Sequence, residues 1–214
     1  MQKYLSFLFL ISLLVMTSAC QIVVEPIHHS GELLMVDDFA KSSTQWDVWK
    51  KSDGSTVGYY QEGLAFIINS PNTDYVSTPR GNYSDIQLEV IAKNLNGLLN
   101  NGFGLVCRYQ DDSNYYAFLV SSDGYYGILR VLYGGYAVLN GGQMQYSNAI
   151  HQGQDINHIA ATCVGNQLTL YVNNEVLAQV EDEVFSDGKI GLIASSFEEP
   201  GVAILFDNFL AVYR

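Results

Sequence analysis

Hydrolysis of a glycoside needs two carboxylates facing one sugar bond, roughly 5–5.5 Å apart for retention or 6.5–9.5 Å for inversion. The nearest approach to such a pair in this chain is "VEDEVFSDG", where Glu181 and Glu183 would share one face of a strand. That strand runs straight into a turn, and a solvated turn is the competing account of the same acids. Glu198 and Glu199 stand before a proline in "SSFEEPG", a loop signature. His28, His29, His151 and His158 lack zinc-site spacing. There is no Gly-x-Ser-x-Gly elbow and no glycine-rich phosphate fingerprint. No catalytic residue is assigned, so chemistry in this chain points to binding.

The binding chemistry concentrates in "RYQDDSNYYAFLVSSDGYYG". Within "GFGLVCRY", Phe103, Leu105, Cys107 and Tyr109 alternate with Gly104, Val106 and Arg108, and the first set is apolar enough for a core. Across the "DDSN" turn, Tyr116, Phe118 and Val120 match that set in bulk. Arg108 and Tyr115 then fall on the opposite face, and Tyr125 and Tyr126 at a turn. A ring beside a guanidinium there suits stacking on, and hydrogen bonding to, a sugar. Trp46 in "QWDVWK" joins this ligand-binding set, although one of Trp46 and Trp49 is also a candidate plug closing the core.

The elements that must position these residues are strands. From Gly31 onward, apolar runs recur about every 8–12 residues with turn clusters between them. "SDIQLEVIAKNL" sets Ile86, Leu88 and Val90 against Gln87, Glu89 and Ile91. Gly165-Asn166 and Asn173-Asn174 are tight-hairpin pairs whose residues accept positive φ. No stretch keeps a helical period. About a dozen hairpin-linked strands predict an all-β fold of two stacked antiparallel sheets. With 214 residues, 48% of them hydrophobic, the chain is long enough for one packed domain and short for two.

The N-terminus reads as a leader. "MQK" is followed by the apolar run "YLSFLFLISLLV" and by "TSAC". The run is shorter than the roughly 20 residues a membrane helix needs, so residues 1–19 form a signal peptide. Cys20 after "TSA" resembles the bacterial lipobox, in which the cysteine carries lipid, with Thr17 where that pattern has Leu or Val. The alternative is an ordinary secretory signal with a chance cysteine. Residues 20–30 then form a tether and 31–214 the domain, lipid-anchored and extracytoplasmic at the bacterial cell envelope. Removing Met1 to Ala19 takes away Lys3 and no acid, moving the charge from −12 to −13. So acidic a domain repels phosphate backbones and anionic headgroups. Nucleic acid is therefore excluded as a partner, and membrane contact is left to the lipid. With Cys20 lipidated, Cys107 and Cys163 form a disulfide in an oxidising compartment, or else stay as two buried thiols.

The stretches "NGFGLVCRYQDDSNYYAFLVSSDGYYGI", "NHIAATCVGNQLTLYVNNEVLAQVED" and "FDNFLAVY" resemble the concanavalin A-like lectin/glucanase jelly rolls. Within these they are most similar to laminin-G-like and 3-keto-disaccharide-hydrolase-like domains of bacterial lipoproteins. The resemblance covers about Asp37 to Arg214 and implies a jelly-roll sandwich. It does not fix activity, because the fold hosts lectins, hydrolases and adhesion modules. The family's Glu-x-Asp-x-x-Glu catalytic pattern has no counterpart here beyond Glu181 and Glu183. The resemblance also implies that the first and last strands lie side by side, joined by a structural calcium. "MVDDF" and "ILFDNF" each hold an acid between apolar residues, making Asp38 and Asp207 the implied metal ligands, assisted by Asp37 or Asn208. The alternative is that both acids accept backbone N–H bonds in neighbouring turns. The expectation is a non-catalytic, lectin-like lipoprotein whose partner is a glycan or polysaccharide. A hydrolase of 3-keto-glycosides and a structural adhesion module are the alternatives.

Overall fold

A computed structural model describes residues 30–214. The leader, Cys20 and most of the tether lie outside the described residues, and with them the signal-peptide and lipidation expectations. Five strands come first: β1 (Leu33–Asp37), β2 (Trp49–Lys50), β3 (Thr56–Tyr60), β4 (Gly63–Ile68) and β5 (Thr73–Ser77). The next five are β6 (Ile86–Asn96), β7 (Asn101–Asp111), β8 (Asn114–Val120), β9 (Tyr125–Leu132) and β10 (Gly135–Val138). The last six are β11 (Gln145–Tyr146), β12 (Asn157–Val164), β13 (Gln167–Val172), β14 (Glu175–Glu181), β15 (Lys189–Ser196) and β16 (Val202–Tyr213).

They pair into two antiparallel sheets. Nine strands run β14-β13-β12-β6-β16-β4-β3-β2 with β1 on β16, and seven run β10-β9-β8-β7-β15-β5 with β11 on β9. This is the two-sheet antiparallel sandwich that the strand spacing predicts, with the jelly-roll form that the resemblance implies. β6 shows why the sequence folds so: Ile86, Leu88, Val90 and Ala92 are fully buried while Gln87, Glu89, Ile91 and Lys93 between them are not. Burial of one alternate set against a facing sheet is what holds a strand's register. At the β13–β14 hairpin, Asn173 and Asn174 take φ of 49° and 70°, the left-handed conformation that asparagine tolerates.

Between the sheets, Phe103, Leu105 and Cys107 of β7 and Tyr116, Phe118 and Val120 of β8 pack with Leu88, Val90 and Ile159 of the larger sheet. Cys107 is bonded to Cys163 with a Cα–Cα distance of 6.9 Å, tying β7 to β12 and so one sheet to the other. The first and last strands are neighbours, Asp37 opposite Phe209.

β7 departs from simple alternation near its end. On β15 the step from Gly191 to Lys189 is matched on β7 by the longer step from Val106 to Tyr109. The extra residue is a bulge, and Arg108 within it takes φ of 50°. A bulge reverses the side on which later residues emerge. Arg108 therefore turns inward and is 1% exposed, while Tyr109 packs on the outward face. The sequence expectation had these two the other way round.

Candidate functional site

The outward face of the seven-stranded sheet carries a second apolar layer, built from Val106, Tyr115, Ala117, Leu119, Leu129, Val131 and Ile193. All of these but Val106 floor a groove of about 270 Å³. β7 contributes Gly102 and Gly104 to this face. A Cβ on Gly104 would meet the Phe118 carbonyl oxygen at 2.0 Å. The glycines keep the floor low between the bulkier rows on either side.

Asp74 and Ser195 lie directly opposite one another on β5 and β15, so their side chains rise together at one wall of the groove. Asp74 Oδ2 accepts hydrogen bonds from the Tyr115 hydroxyl at 3.2 Å and the Tyr136 hydroxyl at 2.6 Å. Tyr136 is on β10 and Asp74 on β5, the two ends of the sheet. Their contact means that the sheet curls across its own outward face. Burial first, and then the Asp74 charge, hold the Tyr115 phenol well above the usual tyrosine range. Loss of hydration, followed by the bond to Asp74, does the same for Tyr136. Both rings therefore stay neutral and donate their protons to the carboxylate, which they orient. Ser195 Oγ is fully buried in the groove wall and has no hydrogen-bond partner among the described residues. A buried hydroxyl without a partner is costly, and this one borders the groove opposite Asp74.

Of the sequence-predicted binding residues, Tyr115 is in this site and the others are not. The Arg108 guanidinium donates to the carbonyls of Phe185 at 2.8 Å, Gly165 at 2.7 Å and Ser84 at 3.3 Å, and lies 3.5 Å from Asp85. It braces loops at one end of the sandwich and is saturated there, which corrects its assignment as a ligand contact on the open face. Tyr126 is core, its hydroxyl bonded to Gln145 at 3.0 Å, because it begins β9 rather than occupying a turn. Tyr125 is exposed and stacks edge-on against Tyr146 at 5.7 Å, away from the groove lining. Trp46 is the core plug. It is 3% exposed, packs on Phe39 and Phe209, and donates its indole N–H to Asp37 Oδ2 at 2.9 Å. Asp74, Tyr136 and Ser195 were missed. Asp74 belongs to a strand that the turn-rich run "SPNTDYVSTPR" hides, and Thr73, Asp74, Tyr75, Val76, Ser77 carries no polar–apolar alternation to mark it.

The acids at the other places have local roles. Glu181 and Glu183 are both exposed, and the residue between them turns in: Asp182 accepts from the Tyr116 hydroxyl and pairs with Arg130. Asp38 Oδ1 takes the Ala40 N–H at 3.1 Å and Asp207 Oδ1 the Asn208 N–H at 2.7 Å, while Asp37 binds the Phe39 N–H and Trp46. Among the described residues no group of three or more His, Cys, Asp or Glu converges. These acids match the backbone-capping alternative and make a sparse donor set for calcium.

No family model matches the chain, and no curated protein does. Solved structures do. The carbohydrate-binding module CBM66 from Bacillus subtilis superposes with a TM-score of 0.64 and 19% identity, over 79% of this chain and 96% of that one. The GH43 protein BlXynB from Bacillus licheniformis gives 0.62 and 12% over 84% of this chain, which spans only 39% of BlXynB. A Bacillus licheniformis β-glucanase gives 0.59 and 11%, over 87% and 100%. Identities this low carry the fold alone. The chain is a two-sheet jelly-roll β-sandwich, the fold that these structures share.

Proposed function

We propose that this protein is a non-catalytic carbohydrate-binding module, held at the bacterial cell envelope by lipid on Cys20, and that its glycan seats in the groove of the seven-stranded sheet. The observation that carries this is the pairing of Asp74 with Ser195. A carboxylate oriented by two phenols stands opposite a buried hydroxyl with no protein partner, above an apolar floor. A sugar offers the complement: hydroxyls for the polar wall and a C–H face for the floor. The likeness to a carbohydrate-binding module and to two proteins named for glycoside chemistry supports the same reading. Hydrolysis would need a second carboxylate facing the bond, and Asp74 is the one acid lining this groove.

A glycan array probed with residues 31–214, a fragment that retains all sixteen strands, tests the reading. Asp74→Asn or Ser195→Ala should weaken the bound glycan about tenfold, the cost of one lost hydrogen bond of ordinary strength. Binding to no glycan, or release of reducing ends from the one bound, would overturn it. Anchoring is checked by Cys20→Ser, which should move the protein to the soluble fraction, since loss of the acyl chains removes the membrane affinity. Calcium shared by Asp38 and Asp207 would raise the melting temperature of EDTA-stripped protein; an unchanged one would leave both acids as acceptors of backbone N–H groups only.

A further inference from the structure

The groove does not end at Tyr115. The Tyr109 ring lies 5.6 Å from that of Tyr115 and forms part of a second, more open basin with Asp47, Trp49, Val76 and Asp112, which also takes in an edge of the sequence-predicted Trp46. The two basins belong to one surface. Val76 follows Asp74 by two residues on β5, so both face outward about 7 Å apart, and Val76 packs on the same apolar layer that floors the first basin. The β7 bulge is what brings Tyr109 to this side. Without it the ring would be in the core and the second basin would lose its wall.

The charge along this surface has one sign. Asp74 lines the first basin, and Asp47 and Asp112 the second, with Asp112 accepting the Tyr109 hydroxyl at 2.5 Å. No Lys, Arg or His lines either basin. Lys51, beside Trp49, is held over the Trp49 and Tyr75 rings at 5.1 and 4.3 Å and is not part of the lining. The whole chain adds to this field with 22 acids against 10 Lys and Arg. Carboxylates with free lone pairs accept hydroxyl donors and repel other anions.

We infer that the groove selects an uncharged, hydroxyl-rich oligosaccharide long enough to cross both basins, and that it rejects chains bearing carboxylate, sulfate or phosphate. This rests on the carbohydrate-binding reading and narrows its ligand class. An anionic sugar in the first basin would face Asp74, and one in the second would face Asp47 and Asp112. At separations of a few ångströms near a protein surface, one such repulsion weakens binding roughly tenfold or more. The half-buried Tyr109 ring, seated on the buried Tyr115 between the basins, gives the chain a ring surface to cross, since aromatic faces take the C–H side of a sugar without needing charge.

Affinity gels test this with the detergent-solubilised full chain. Gels contain one neutral polymer each (xylan, arabinan, mixed-linkage β-glucan or levan) or one acidic polymer (polygalacturonate or alginate). Retardation by at least one neutral polymer, with acidic polymers at least tenfold weaker, is the expected result. Raising NaCl to 0.5 M should narrow that gap by screening the repulsion. The double variant Asp47→Asn/Asp112→Asn should narrow it too, because it removes two charges and leaves Asp74 in place. For the neutral polymer, an oligosaccharide of its own repeat should compete at least tenfold better than the single sugar. Acidic polymers that bind as well as neutral ones would overturn the inference while leaving the carbohydrate reading intact, and so would equal competition by single sugar and oligosaccharide. Retardation by no polymer of either kind would overturn both.

Discussion

Arg108 shows how a single backbone angle reassigns a side chain. From the sequence it alternates with Cys107 and Tyr109 and should face solvent. With φ of 50° it reaches into the end of the sandwich and spends its donors on three carbonyls that no strand neighbour satisfies. A planar, forked donor set is what such a cluster of carbonyls requires, and a lysine ammonium cannot reproduce it. Arg108→Ala should therefore cost about 3 kcal/mol of stability, since a large, fully buried side chain is removed together with its bonds to three carbonyls. Arg108→Lys should recover little of it. Urea midpoints measure the loss, and the fraction that remains folded should bind glycan as the parent does. Weakened binding with unchanged stability would return Arg108 to the ligand site. The site residues that the sequence hid share a reason. Asp74 and Ser195 have ordinary polar identities, and what makes them a site is their opposition on neighbouring strands, a relation between residues 121 positions apart that no local pattern encodes.

At the level of the strand, alternation made most of the architecture legible. β6, β8, β12 and β13 carry their apolar sets where the period of two puts them, and Gly165, Asn173 and Asn174, though not Asn166, take the positive φ expected of their turns. What escaped were the two-residue strands β2 and β11, too short to show a period, and β5, whose flanking prolines and glycine-free turn residues read as loop. The disulfide was visible as a pairing but not as a geometry. It joins β7 to β12, and thus the two sheets, across a separation of 56 residues. Constraining a loop of that size in the unfolded chain contributes about 4 kcal/mol on the chain-entropy account. Paired replacement Cys107→Ala/Cys163→Ala should lower the unfolding free energy by about that amount, with further loss from the space left by two fully buried sulfurs. Thiol titration of the unfolded, unreduced parent should find neither of these two cysteines free. A titrated pair, or a double variant as stable as the parent, would place the two thiols in the core unbonded.

For the whole molecule the telling quantity is where its tyrosines sit. The chain has 15, and many are neither exposed nor idle. Burial, and then the bond to Asp182, push the Tyr116 phenol up to about 12. Tyr115 and Tyr109 are shifted in the same direction by burial and by the acids that their hydroxyls meet. In the unfolded chain these phenols return to the ordinary value of about 10. Raised folded-state values mean that, above pH 10, the folded protein holds protons that the unfolded chain has released, so the unfolded state gains stability as pH rises. The stability these phenols contribute is complete below pH 10 and is lost progressively from there up to pH 12 and beyond. Each fully shifted tyrosine removes up to about 1.4 kcal/mol per pH unit over that span. Melting temperature should consequently be flat from pH 7 to 9 and fall steeply above pH 10, before the shifted phenols ionise in the folded protein. Tyr116→Phe should make that alkaline slope shallower even though it lowers the plateau, because it deletes one of the protons counted. Tyr60→Phe, at an exposed ring bonded to no acid, should leave the slope as it was. A melting temperature that stays level to pH 11, or equal slopes in Tyr116→Phe and the parent, would show that these rings are not held neutral by the fold. The phenol donors at Asp74 would then lose their footing as well.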